Sequence, residues 1–170
     1  MANLQDILYK VSIRSVHGNM GREVQDLQID SRKAGPGSLF IAQKGVHTDS
    51  HAFIPQVIAA GAAVIVCEEL PGTLSDDVTY VQVENSAAAA GFIAHNFYGA
   101  PSEMLKLVGV TGTNGKTTIA TLLYKLFTGL GYTCGLVSTV ENVIAGNVIP
   151  STHTTPDAVS LNGLLKKMIW

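Results

Sequence analysis

The chain has 170 residues, enough for one full domain with a sizeable core, or for one domain and part of another. Apolar residues make up 46% and charged residues 14%, which fits a globular protein and excludes general disorder. A formal net charge of −2 with no long basic run argues against a general nucleic-acid-binding role. The longest apolar run, VIAAGAAVIVC (57–67), falls well short of the roughly 20 residues that span a bilayer.

The opening MANLQDILYKVSI has no apolar core followed by a small-residue cleavage site, so it does not read as a signal peptide. Leu4, Ile7, Leu8 and Val11 share one helical face within residues 3–11. Residues 27–45 read as strand, turn and strand, with Gly35-Pro36-Gly37 making the turn. HAFIPQVIAAG (51–61) reads as a helix closing at Gly61, and AAVIVCEE (62–69) as a buried strand. A strand over 78–85 and a helix over 86–99 with Ser86 as its cap complete an alternation that defines an α/β domain. Tyr9, Tyr80, Phe92 and Phe97 fall at strand or helix spacing and read as core. Cys67 and Cys134 are far apart, without metal-type spacing, and read as two buried free thiols in a reducing, cytoplasmic setting.

Gly99-Ala100-Pro101 breaks the preceding helix and marks a boundary, giving domains over 1–99 and 100–170. Beyond it LKLVGVTG (105–112) reads as a strand leading into a loop. The following helix carries Ile119, Leu122, Leu123, Leu126 and Leu130 as one apolar stripe. TCGLVST (133–139) reads as a second strand, 140–150 as a hairpin turning at Ala145-Gly146-Asn147, and 158–170 as a helix capped by Asp157. A doubly wound sheet needs about five or six strands, so this second unit reads as the start of a larger domain. Its unpaired edge predicts self-association through residues after about 100.

The loop is TGTNGKTT (111–118). The common phosphate-loop pattern places a glycine five residues before Gly115, where this chain has Val110, so the spacing fails by one position. The working parts are nonetheless present. Gly112 and Gly115 allow backbone N–H groups to turn inward around a phosphate, and the helix start adds partial positive charge. Lys116 can reach the terminal phosphates, the Thr117 hydroxyl can hold Mg²⁺, and Thr118 supplies a further donor in the first turn. Thr113 and Asn114 complete the loop. Nucleotide binding follows, while the use made of the γ-phosphate does not.

This shortened loop resembles that of the Mur ligase superfamily, the ATP-dependent enzymes that build peptidoglycan precursors. Folylpolyglutamate synthetases have a similar loop, usually with Gly-Ser where this chain has Thr117-Thr118. Residues 30–69 resemble the N-terminal domain with which Mur ligases bind the UDP end of a UDP-MurNAc-peptide. STHTTPD (151–157) is similar to the substrate-contacting segment of the members that add the third peptide residue. The fold implied is a UDP-substrate-binding α/β domain followed by the start of a P-loop α/β central domain.

The resemblance implies site roles that residue type alone does not. Ile29 and Ser31 match positions at the uridine nucleotide, and Val46, His47 and Thr48 match the uridine-binding loop, with backbone contacts expected there. By residue type Ser31 reads as an ordinary turn serine, with Asp30 and Arg32 bracing the turn, and His51 reads as structural. Thr154 and Thr155 match the pair that grips the muramoyl-peptide, and His153 precedes them; as plain residues they form an extended turn before Pro156. The implied substrates are UDP-MurNAc-L-Ala-D-Glu and a diamino acid, meso-diaminopimelate or L-lysine, with ATP and Mg²⁺ as cofactors and Lys116 as the catalytic residue. The implied chemistry transfers the γ-phosphate to the substrate carboxylate, and the amine then attacks the acyl phosphate. The remaining Mg²⁺-binding acid, a modified lysine and the amino-acid-binding domain have no counterpart here and are expected beyond Trp170. Three readings compete: a D-Ala-D-Ala-adding Mur ligase, a stand-alone P-loop ATPase or kinase, and a non-catalytic UDP-sugar-binding module.

Overall fold

The computed structural model describes residues 1–45, 48–150 and 156–169. The chain divides into two compact units, Met1–Gly99 and Ala100–Trp170.

The first unit contains β1 (Ala2–Asn3), α1 (Leu4–Ile7), β2 (Ile13–His17), β3 (Glu23–Val24), β4 (Asp26–Gln28) and β5 (Ser38–Ile41). A 3₁₀ turn (Ser50–Phe53) then runs into α2 (Ile54–Ala59), followed by β6 (Val64–Cys67), β7 (Thr79–Val83) and α3 (Ser86–Phe97). Five strands form a sheet in the order β2-β7-β6-β5-β4, in which β4 to β7 are parallel and β2 is antiparallel at one edge. Parallel strands are covered on both faces and therefore need apolar residues at successive positions. SLFI in β5 and VIVC in β6 meet that need, and every residue of both is buried. Phe40, Ile65, Cys67 and Tyr80 point to one face, where they pack with Ile54 and Val57 of α2. Strand alternation sends Leu39, Ile41, Val64 and Val66 to the other face, and these are buried as well. The α/β reading of the sequence holds.

Several local readings need correction. The first helix is a single turn, capped by the Asn3 side chain and followed by Lys10 at φ +61°, so Leu4, Ile7 and Leu8 are buried but Val11 lies past the helix. β4 and β5 are parallel neighbours rather than a folded-back pair, with Asp26 opposite Ser38. The Gly-Pro-Gly turn docks instead of closing a hairpin, because the Gly37 N–H donates to the carbonyl of Gly61. Asn85, not Ser86, caps α3 by accepting from the Ala88 N–H at 2.8 Å. Of the four aromatics only Tyr80 is fully buried; Tyr9 and Phe92 are exposed. Cys67 is buried but Cys134 only half so.

The second unit holds α4 (Pro101–Met104), α5 (Lys116–Gly129), β8 (Gly135–Val137), β9 (Glu141–Ile144), β10 (Asn147–Pro150) and α6 (Ala158–Lys167). Its three strands form an antiparallel sheet in the order β10-β9-β8. Ala145 (φ +48°) and Gly146 (φ +84°) make a two-residue turn between β9 and β10, with both residues left-handed as such hairpins require. Asp157 caps α6 by accepting from the Ser160 N–H at 2.8 Å, and Lys166 and Lys167 sit at the opposite end of its dipole. Ile144, Leu165 and Met168 form the small core, flanked by Leu105, Val137 and Ile149.

The expected strand over 105–112 does not form. A strand exists only through a ladder partner, and β8 pairs with β9 instead, leaving Leu107 and Val108 exposed. The apolar stripe of α5 is present but uncovered: Ile119, Leu122, Leu126 and Leu130 are exposed, and Leu123 is half-buried.

Candidate functional site

The phosphate-type loop lies at the start of α5 in the second unit. Gly112 (φ +149°) and Gly115 (φ +77°) take conformations that L side chains rarely adopt, and Gly115 is the residue from which the helix departs. No side chain caps α5, so its first N–H groups remain directed at the loop mouth. Lys116 bends back over the loop, its Nζ donating to the carbonyls of Gly112 (2.5 Å) and Thr113 (3.2 Å). Residues 111–116 are all exposed, Asn114 and the two glycines included. A ring of backbone donors, a cation above it and a hydroxyl in the first turn suit a polyphosphate with its metal ion.

Two further residues, one beside the loop and one in the following strand, were not singled out by the sequence. Thr139 brings its hydroxyl oxygen to 3.3 Å from that of Thr117. Ser138 sets this up, because its hydroxyl donates to the Glu141 carbonyl and accepts from the N–H groups of Val140 and Glu141, folding 138–141 into a tight turn. Asn142 is buried in β9, and its Oδ1 is the one buried side-chain polar atom without a hydrogen-bond partner among the described residues. An orphaned buried acceptor costs about 1–3 kcal/mol, and that cost is recovered when a donor reaches it. Neither residue stands out in sequence, since both read as strand or turn positions.

In the first unit the site residues gather by topology. Ligands of parallel α/β sheets bind outside the carboxyl ends of the strands. Ile29 and Ser31 follow β4, and Thr48 lies in the loop after β5, so these positions share that edge. Ile29 and Ser31 are half-buried and Thr48 is exposed. The Asp30 carboxylate accepts from the Arg32 backbone N–H (3.1 Å), Nε (2.9 Å) and Nη2 (2.8 Å), a two-pronged clamp across Ser31. Those bonds hold the Asp30 carboxyl down at about 2. Val46, His47, His153, Thr154 and Thr155 lie outside the described residues. A surface cleft of about 420 Å³ lined by Lys10, Ser12, Glu84, Asn85 and Phe92 contains none of the binding or catalytic residues expected from the sequence.

Two family models match the chain. The Mur ligase family, catalytic domain, covers residues 23–98, and the Mur ligase middle domain covers residues 110–169. A relative from Cytophaga hutchinsonii, named UDP-N-acetylmuramoyl-L-alanyl-D-glutamate–2,6-diaminopimelate ligase, is 57% identical over 167 residues, covering 98% of this chain and 34% of its own. A solved structure of a ligase of that name superposes with a TM-score of 0.72 at 23% identity, over 99% of this chain and 33% of its own. A ligase from Thermotoga maritima (MurF), solved in complex with ADP, matches 62% of this chain and 24% of its own at 30% identity and a TM-score of 0.50. The chain spans about a third of the length of the curated relatives it matches.

Proposed function

The chain belongs to the Mur ligase family, and we propose on that basis that residues 1–99 form the UDP-MurNAc-peptide-binding domain and residues 100–170 the N-terminal part of the ATP-binding central domain of an ATP-dependent peptide ligase. The reaction is the addition of the third residue to UDP-MurNAc-L-Ala-D-Glu in peptidoglycan precursor synthesis. The incoming amine is 2,6-diaminopimelate, in keeping with the name of the 57% identical relative.

The observation that carries this reading is the loop at the start of α5, with Gly112 and Gly115 left-handed and Lys116 poised above its carbonyls. The ADP in the Thermotoga relative's structure supports the same use of the loop. Gly112, Thr113, Asn114, Gly115, Lys116 and Thr118 are the residues that would hold the phosphates, and Thr117 would hold Mg²⁺. The nucleotide supplies a phosphoryl group that turns the substrate carboxylate into an acyl phosphate. Lys116 and the backbone donors neutralise the charge that moves with it.

Ile29, Ser31 and the loop carrying Val46, His47 and Thr48 would take the uridine diphosphate. His153, Thr154 and Thr155 would take the muramoyl-peptide. No helix among the described residues is long and apolar enough to cross a membrane. The nucleotide-linked substrates of the proposed reaction support a cytoplasmic setting. The exposed stripe of α5 supports self-association of this 170-residue chain through its second unit.

Calorimetry of the 170-residue chain tests the assignment. Tight binding of UDP-MurNAc-L-Ala-D-Glu with weaker binding of ATP·Mg²⁺ is expected, without turnover. Preference for ATP with no uridine binding would point to a stand-alone ATPase or kinase instead.

A further inference from the structure

We propose that His51 is a positioning residue for uridine diphosphate binding: as a neutral imidazole protonated on Nδ1 it ties the loop after β5 to the carboxyl end of β6. This rests on the assignment of that strand edge as the uridine site.

The loop is well bonded within itself. Ser50 Oγ donates to the Gln43 carbonyl (2.8 Å) and accepts from the Gln43 N–H (2.6 Å), while the Gly45 N–H donates to the Thr48 carbonyl (2.9 Å). These bonds shape the loop but do not fix where it stands on the sheet. Among the described residues, two side-chain links from this loop reach the end of β6. One is the Lys44–Glu69 pair, 2.6 Å apart with side chains 46% and 74% exposed. Exposed pairs contribute little, because solvent screens them and ordering both side chains opposes the gain. The other is His51, whose Nε2 accepts from the Glu68 backbone N–H at 2.9 Å and whose side chain is only 12% exposed.

The ring's protonation state follows from its partners. Nε2 faces a donor and so carries no hydrogen; Nδ1, 2.6 Å from Asp49 Oδ1, therefore carries it. The Glu68 side chain is turned to Ser86, its Oε1 accepting from both the N–H and the hydroxyl of Ser86 at 2.9 Å, and the bond to the ring comes from the Glu68 backbone N–H. Asp49 belongs to the loop and Glu68 to the strand end, so the imidazole bridges the two. Of its two bonds, the one to Asp49 is local, two residues away; the one to Glu68 spans 17 residues and locates the loop.

The test uses three variants of the 170-residue chain with UDP as ligand in calorimetry. His51→Gln keeps an acceptor at the reach of Nε2, whereas His51→Asn keeps a donor at the reach of Nδ1 and abandons Glu68. Gln should hold UDP affinity within about threefold of the parent, and Asn and Ala should each lose about tenfold. Nitrogen NMR of the parent should report His51 as the Nδ1–H tautomer. Amide exchange at Gly45 and Ser50 should accelerate in the Asn and Ala variants but not in Gln. Equal UDP binding by Ala, or Asn serving as well as Gln, overturns the inference. A parent that does not bind UDP overturns the uridine-site assignment instead. Exchange at Gly45 and Ser50 then still decides the positioning role, and unchanged rates in Ala overturn it.

Discussion

Lys116 Nζ lies 2.5 Å from the carbonyl oxygen of Gly112, inside the loop that its own helix begins. The cation is therefore held at the loop mouth by neutral acceptors, which an anionic phosphate would readily replace. Lys116→Ala should lower affinity for ATP·Mg²⁺ or ADP more than tenfold, read by titration with a fluorescent nucleotide. The exposed site predicts a change in unfolding free energy within about 0.5 kcal/mol. Lys116→Arg should not restore binding, because the planar guanidinium does not replace a compact ammonium at a tight loop. Undiminished nucleotide affinity in the alanine variant would remove Lys116 from the site.

Gly135 in β8 is a packing glycine. A Cβ built there would fall 2.4 Å from Met168 Sδ and 3.0 Å from its Cγ, while its own φ lies outside the left-handed region. Gly135→Ala therefore crowds the small core of Ile144, Leu165 and Met168 without straining the backbone. Thermal unfolding of the second unit should show a loss of about 1–2 kcal/mol. In a Met168→Ala background the same change should cost almost nothing, since the clashing atoms are gone. Additive losses in the double variant would mean that the glycine acts through something other than Met168.

The sequence was most legible where local physics decides. The hairpin at Ala145-Gly146, the cap at Asp157, the buried runs of β5 and β6 and the loop glycines all follow from backbone conformation or apolar pattern. It was least legible where partners decide. Residues 105–112 have strand composition but no ladder, β4 and β5 run parallel although a turn separates them, and Tyr9 and Phe92 are exposed although their spacing reads as core. The same division holds at the site. Lys116 and Thr117 were singled out by residue type beside Gly112 and Gly115 although the spacing is one position off, but the approach of Thr139 to Thr117 depends on how the 138–141 turn folds and the unpaired Asn142 Oδ1 on how β9 is buried.

The turn that carries Ser31 should respond to acid. Asp30 is held at about 2, below its ordinary 3.8, first by the Arg32 side-chain bonds and then by the Arg32 backbone N–H. A depressed carboxyl stabilises the fold at all pH values above its unfolded value, and that contribution fades as pH falls from 3.8 towards 2. Carbon NMR of the Asp30 side chain should titrate with a midpoint of about 2. Arg32→Ala should move the midpoint up towards 3.8, and weaken uridine-ligand binding if the clamp shapes the turn around Ser31. A midpoint that stays put in the variant would show that Arg32 does not hold this carboxylate.

The exposed α5 stripe predicts self-association of the 170-residue chain. Ile119, Leu122, Leu126 and Leu130 are 49%, 60%, 56% and 64% exposed, spaced so that they line one side of the helix. Water contact with such a row is unfavourable by roughly 25 cal/mol for each Å² of apolar surface, and two copies can cover it mutually. Light scattering should report a mass that rises with protein concentration. Leu122→Glu together with Leu126→Glu should return the chain to a constant monomer mass while leaving the fold intact, because neither side chain is in a core. A parent chain whose mass stays that of a monomer across the concentration range would rule out association through α5.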